Sequence, residues 1–299
     1  MAHSHILAGA GASAVQPTVR SIGLADLRDA LARGIDDFKA MPSHTLFLGL
    51  IYPIVGLVLS RFALGYDVLP LLFPLAAGFA LVGPFAAIGL YELSRRREQG
   101  LDVSWRKAFD VFRSPSFGAI AALGILLLMI FLVWLASAQA IYVATFGYAP
   151  AASIPQFVDQ IFTTAAGWKL ILIGNGVGFL FAVLVLTISV VSFPLLLDRD
   201  VGAAVAMLTS IRAVLRNPVM IALWGLIVAA LLVIGSLPLF VGLAVVVPVL
   251  GHATWHLYRK VVESDRCPRP EDRPHPSRGR HYAAEFPASL FAPSGEERG

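Results

Sequence analysis

His252 and His256 stand four residues apart, a spacing that turns two imidazoles to one face of a helix and that metal sites use for paired ligands. His44 begins one apolar stretch and Glu92 ends another, and the topology derived below places both on the same side of a membrane as the histidine pair. His44, Glu92, His252 and His256 are therefore the candidate set for a metal or haem site. The reading the sequence favours makes them interfacial residues that bond headgroups or loop backbone, with Trp255 and Tyr258 beside them as an aromatic belt. No Ser-His-Asp, Cys-His or paired-carboxylate arrangement is found. Asp36-Asp37 falls on the solvated face of its helix, and Cys267, the single cysteine, lies in a polar tail where no internal disulfide can form. These residues point to no catalytic group, no resident cofactor and a non-enzymatic protein.

A second set of polar residues lies within apolar stretches: Gln139, Asn175, Thr187, Ser189 and Ser192. In Gly174-Asn175-Gly176-Val177-Gly178, Gly174 and Gly178 make a small-xxx-small face for close helix packing, and Asn175 is expected to bond across that contact. A transporter of a neutral or amphiphilic solute is the alternative reading, with Gln139 and Asn175 lining a cavity. No ionisable residue falls at mid-membrane depth, where ion and proton pathways keep theirs. The densest charge cluster is Glu92-Leu93-Ser94-Arg95-Arg96-Arg97-Glu98. Arg95, Arg96 and Arg97 read first as a stop-transfer anchor, and also as candidates for contact with lipid phosphate or a partner's acidic surface.

The elements that must position these residues are legible from composition. The 299 residues are 57% hydrophobic and 14% charged, with a mean hydropathy of +0.75, far from soluble averages. A bilayer core about 30 Å thick needs roughly 20 apolar residues in a helix. Uncharged stretches of that kind predict spans at about 44–65, 69–93, 117–146 and 168–197. The last stretch is twice too long and carries Gly235-Ser236-Leu237-Pro238 near its middle, so it divides into 218–236 and 238–258. Met1–Val19 lacks a charged n-region and reads as a flexible leader, not a signal peptide.

Amphipathic segments at about 24–40, 102–113 and 200–216 precede the odd-numbered spans, and each closes on a basic residue and a proline: Lys39 and Pro42, Arg113 and Pro115, Arg216 and Pro218. Their apolar stripes predict helices lying in the membrane plane. The organisation is then a leader over 1–20, a membrane domain over 21–262 and a proline-rich, disordered tail over 263–299. The fold class is an all-α, polytopic membrane bundle of six helices, built as three repeats of an in-plane helix and a transmembrane hairpin. Of the 23 Lys and Arg, only Arg61 and Lys169 fall on the far side. The positive-inside rule therefore puts both termini in the cytoplasm. The net charge of +4 reflects this topology and attraction to anionic lipid, and no nucleic-acid partner is implied.

Three segments carry a resemblance: Leu31-Ala32-Arg33-Gly34-Ile35-Asp36-Asp37-Phe38 with Pro42; Gly83-Pro84-Phe85-Ala86-Ala87-Ile88-Gly89-Leu90-Tyr91-Glu92-Leu93-Ser94-Arg95-Arg96; and Gly251-His252-Ala253-Thr254-Trp255-His256-Leu257-Tyr258-Arg259. Together they resemble DUF2189, a bacterial family of predicted integral membrane proteins with no established activity. The resemblance implies architecture and leaves function open. Some relatives are described in connection with cytochrome c oxidase, but a haem–copper core needs six histidines over several spans and only three here lie in or beside the membrane. What the resemblance leaves is an accessory role beside a respiratory complex. The sequence thus points to a membrane protein acting through lipid or protein contacts.

Overall fold

The computed structural model describes residues 17–41, 54, 72–148, 153–238 and 240–263. Most of the predicted leader, the first span with His44, and the tail from 264 onward lie outside the described residues. The described residues form ten α-helices and one 3₁₀ helix. They are α1 (Leu24–Ala40), α2 (Leu72–Ala86), α3 (Ile88–Glu98), the 3₁₀ helix Trp105–Arg113, α4 (Phe117–Phe146), α5 (Ile154–Thr163), α6 (Ala165–Ser189), α7 (Ser192–Asp198), α8 (Ala203–Arg216), α9 (Pro218–Ser236) and α10 (Leu243–Val261). The only β-pairing among them is a single antiparallel bridge between Val19 and Val262.

Among the described residues three helical stretches are long and apolar enough to cross a membrane: Phe117–Phe146, Ala165–Asp198 and Pro218–Ser236. The second is α6 and α7 together. Ser189 there bonds the Val185 carbonyl at 2.6 Å, a back-bonding that bends helices, and the Val191 N–H turns to the Ser210 hydroxyl of α8 at 3.3 Å. The expected span 69–93 is likewise divided. Pro84 inside α2 removes one backbone donor, and the helix restarts after Ala87 as α3. α10 is absent from the apolar set because its carboxyl-terminal half is polar. There Trp255 and Tyr258 are each 1% exposed, so the expected aromatic belt is corrected to side chains sealed inside protein.

Packing within the bundle centres on Trp134. Its indole N–H donates to the Pro74 carbonyl at 2.9 Å, its ring meets Phe181 at 5.6 Å, and Gly178 approaches closely enough that a Cβ there would lie 3.0 Å from it. Leu123 and Leu127 fill the adjoining interior. Between Gly147 and Gly167, in the connection between the spans predicted at about 117–146 and 168–197, the chain forms α5. Ser153 caps it by accepting the Gln156 N–H at 3.3 Å, and Phe157 seats against Tyr142 and Phe146 at 6.1 Å from each. The corner between α9 and α10 is as tight as Gly235 and Pro238 suggest. A Cβ on Gly242 would meet the Gly235 carbonyl at 2.7 Å.

The amphipathic elements bury mainly small residues and leave much of their bulky apolar stripe outside. In α1 the buried residues are Leu27, Ala30, Gly34 and Asp37, while Leu24 and Ile35 stay exposed. In α8 Ala203, Ala206, Thr209, Ser210 and Ala213 face inward, and Leu215 is 74% exposed. The middle segment is a 3₁₀ helix, not the expected α-helix. It buries Ala108 and Val111 and turns Trp105, Phe109 and Phe112 outward. Small residues allow the close approach, so bulky apolar side chains remain for an apolar solvent.

α1 lies antiparallel along the end of α10. Lys260 bridges Asp29 at 2.8 Å, and a Cβ added at Gly34 would come within 2.6 Å of the Ala253 backbone nitrogen. Because that obstacle is backbone, Gly34→Ala will force the helices apart and cost about 1–3 kcal/mol. Thermal unfolding in detergent should show the loss. Gly174→Ala, with no described atom within 4 Å, should show none.

Candidate functional site

The ends of α3, α7 and α10 and the start of α9 meet at one end of the bundle, with α1 laid across them. The Asp37 carboxylate of α1 sits at the centre, 3% exposed. Its Oδ2 accepts the Ser94 hydroxyl of α3 at 2.6 Å and the His256 Nε2–H of α10 at 2.9 Å. Its Oδ1 accepts the Arg97 guanidinium. Ser94 Oγ also lies 2.7 Å from Nδ1 of His252. Since the one serine proton goes to the carboxylate, Nδ1 of His252 must be the donor of that pair. Its Nε2 is buried and makes no hydrogen bond of ordinary geometry among the described residues.

Asp37 is the principal correction to the sequence reading, which placed it on a solvated face. The helical stripe Ala30, Gly34 and Asp37 is the signal that could have found it: small residues mark the packed face, and Asp37 extends it. Asp36 is exposed. The cause of the error is an inverted face rule, since a membrane-edge helix need not bury its bulkiest stripe.

A second knot lies beside the first. Asp198 of α7 accepts the Tyr258 hydroxyl at 2.7 Å and lies 3.5 Å from Arg259. Arg199, 1% exposed, donates to the Glu263 carbonyl at 2.7 Å. Glu98 accepts the Trp255 indole N–H and the Arg259 Nε–H, both at 3.0 Å. The segment before α1 is tied to the same end. Arg20 N–H donates to the Val261 carbonyl at 2.7 Å, and Asn217 bonds both Ile22 N–H at 2.8 Å and the Arg20 carbonyl at 2.9 Å.

The predicted site residues are thus partly assembled. His252 and His256 do share one face, and what they share is Asp37 through Ser94 and directly. Glu92 is buried but pairs with Arg95 at 2.8 Å and Arg96 at 3.4 Å, apart from the histidines. His44 lies outside the described residues. Among the described residues no group of three or more His, Cys, Asp or Glu is arranged to hold a metal ion. Arg95, Arg96 and Arg97 all have internal partners, Glu92, Asp110 and Asp37. Among the described residues Gly174 and Asn175 do not make the expected contact. Asn175 faces outward and donates to its own helix at the Ile171 carbonyl, 2.7 Å away. Gln139 also faces outward.

Long apolar helices with bulky side chains turned outward define an integral membrane protein in contact with the lipid bilayer. Residues 72–198, which run from α2 to α7, match the family DUF2189, described as a predicted integral membrane protein. The resemblance read from the sequence is therefore present across the centre of the chain. No curated protein and no solved structure matches it.

Burial alone would push the Asp37 carboxyl up, but hydrogen bonds from His256 and Ser94 hold it below its ordinary value. A depressed folded-state pKa means the stabilisation is complete above the unfolded value of about 3.9 and is lost as pH falls through the folded one. Asp37→Asn should lower neutral-pH stability by about 1.5–3 kcal/mol, the worth of hydrogen bonds to a charged group. The gap from the parent should close below about pH 4 in thermal unfolding. Asp36→Asn should stay within about 0.5 kcal/mol of the parent throughout.

Proposed function

We propose that the chain is a six-span inner-membrane protein with both termini in the cytoplasm, and that its polar end is a rigid, non-enzymatic surface for lipid or protein contacts. The observation that carries this reading is the segregation of charge. Every described Lys and Arg except Lys169 belongs to an element of the polar end, as the positive-inside rule requires of a cytoplasmic face. Rigidity suits the role, because Asp37, Asp198 and Glu98 each lock separate helices together. Around that end the 3₁₀ helix sets Phe109 and Phe112 in a stack at 6.3 Å and Phe112 against Phe117 at 5.4 Å. Such an aromatic edge suits the boundary between headgroups and acyl chains. The three repeats remain part of the proposal: each return helix is broken or carries a proline, at Pro84, Pro194 and Pro248.

A topology reporter fused after Asp159 should read outside the cytoplasm, and one after Glu98 or Asp200 inside; the opposite pattern sinks the orientation. The membrane edge has its own test. In a Cys267→Ser background, spin labels on Phe112→Cys and Leu215→Cys should be reached by oxygen in bilayers. A label on Asp36→Cys should be reached by an aqueous relaxant. Aqueous access at all three positions would remove the interfacial belt.

A further inference from the structure

The 3₁₀ helix Trp105–Arg113 runs for nine residues, well beyond the three or four usual for that geometry. With three residues per turn, side chains three apart stand one above the other. Ala108 and Val111 are buried on the inward ridge, with Trp105 in the same column and 39% exposed. Arg106, Phe109 and Phe112 share the next ridge, and all three are exposed. In an α-helix Arg106 and Phe112 would stand about 120° apart. Here the cation heads a column that continues through the stacked rings of Phe109 and Phe112 to Phe117 at the start of α4. The Arg106 guanidinium lies over the Trp105 ring, 5.4 Å from its centroid, and Trp105 meets Phe109 edge-on at 6.3 Å.

Charge on this segment is unevenly matched. Asp110 faces Lys107 and Arg96, each at 3.5 Å, so Lys107 has its counter-ion. Arg106 and Arg113 are exposed, and neither meets a carboxylate among the described residues. We infer that this ridge binds an anionic glycerophospholipid, with its phosphodiester at Arg106 and Arg113 and its acyl chains along Phe109, Phe112 and α4. Charge complementarity selects the occupant: a zwitterionic lipid brings its own ammonium to the arginines, whereas an anionic one brings negative charge alone. A guanidinium offers several donors to phosphate oxygens, and stacking on Trp105 holds Arg106 in place without neutralising it. The apolar half is continuous with the span, because Leu128, three turns beyond Phe117 on the same face of α4, is also exposed. The inference rests on this edge lying at the membrane boundary, as proposed above, and names the class of lipid it meets there.

The test uses the full chain in phosphatidylcholine nanodiscs that carry one lipid brominated on its acyl chains, phosphatidylglycerol in one series and phosphatidylcholine in the other. Bromine quenches nearby tryptophan, and subtracting the signal of a Trp105→Phe variant isolates Trp105. Per mole of brominated lipid, phosphatidylglycerol should quench Trp105 at least about fivefold more effectively, the worth of one basic residue at an anionic surface. Arg106→Gln and Arg113→Gln should each lower that preference by about twofold or more, and the double variant should abolish it. Raised salt should weaken it as well. Arg28→Gln, exposed on α1, should leave it unchanged. Equal quenching by the two brominated lipids overturns the selection of an anionic lipid while keeping the ridge in the membrane. A preference that survives in the double variant overturns the assignment to the arginines. Quenching of Trp105 by neither lipid places the ridge against water or protein, and removes the membrane boundary together with the inference.

Discussion

A carboxylate buried at the meeting of three helices is the constraint on which the polar end depends. An ionised Asp37 away from water is tolerable only because three donors, Ser94, His256 and Arg97, are in place together. Each donor comes from a helix that must arrive at the right register, α3 for two of them and α10 for the third. The cost of leaving a buried charge unpaired exceeds that of a misplaced apolar contact. The carboxylate therefore specifies register where small-residue packing alone would tolerate sliding.

Close packing and outward bulk are two sides of one choice. In lipid, helices gain nothing by hiding leucine from a solvent equally apolar, so contact is won by backbone approach. Gly34 on Ala253, Gly251 on Leu90 and Gly178 on Trp134 are the places where this happens. The residues displaced from the interior, Phe112 and Leu215 among them, are left exposed.

Much of the fold was legible because its signals are long and redundant. The apolar runs that became α4, α6 and α9, the Gly-Pro corner before α10 and the basic ends could be read from composition alone. α5 lay outside the predicted spans although Ser153, Pro155 and the spacing of Phe157, Val158 and Ile161 carry the signature of a capped helix. The candidate site was half legible. The pairing of His252 with His256 follows from helical geometry, but their partner does not. Asp37 is 219 residues away from His256, and no local pattern reports a contact at that separation. What misled was hydrophobic ranking, which assumes that the bulkiest stripe of a helix is the buried one.

The antiparallel bridge of Val19 to Val262 and the bond of Asp37 to His256 make the first described helix a partner of the last. At translation rates of about 5–20 residues per second, Asp37 is joined to the chain roughly 10 to 45 s before His256. For most of that interval Ser94 and Arg97 of α3 already exist, but the His256 donor does not. The polar end is thus a seal that closes when synthesis is nearly done, and a chain cut short before α10 would display an unsealed end to whatever surveys the membrane for unfinished proteins.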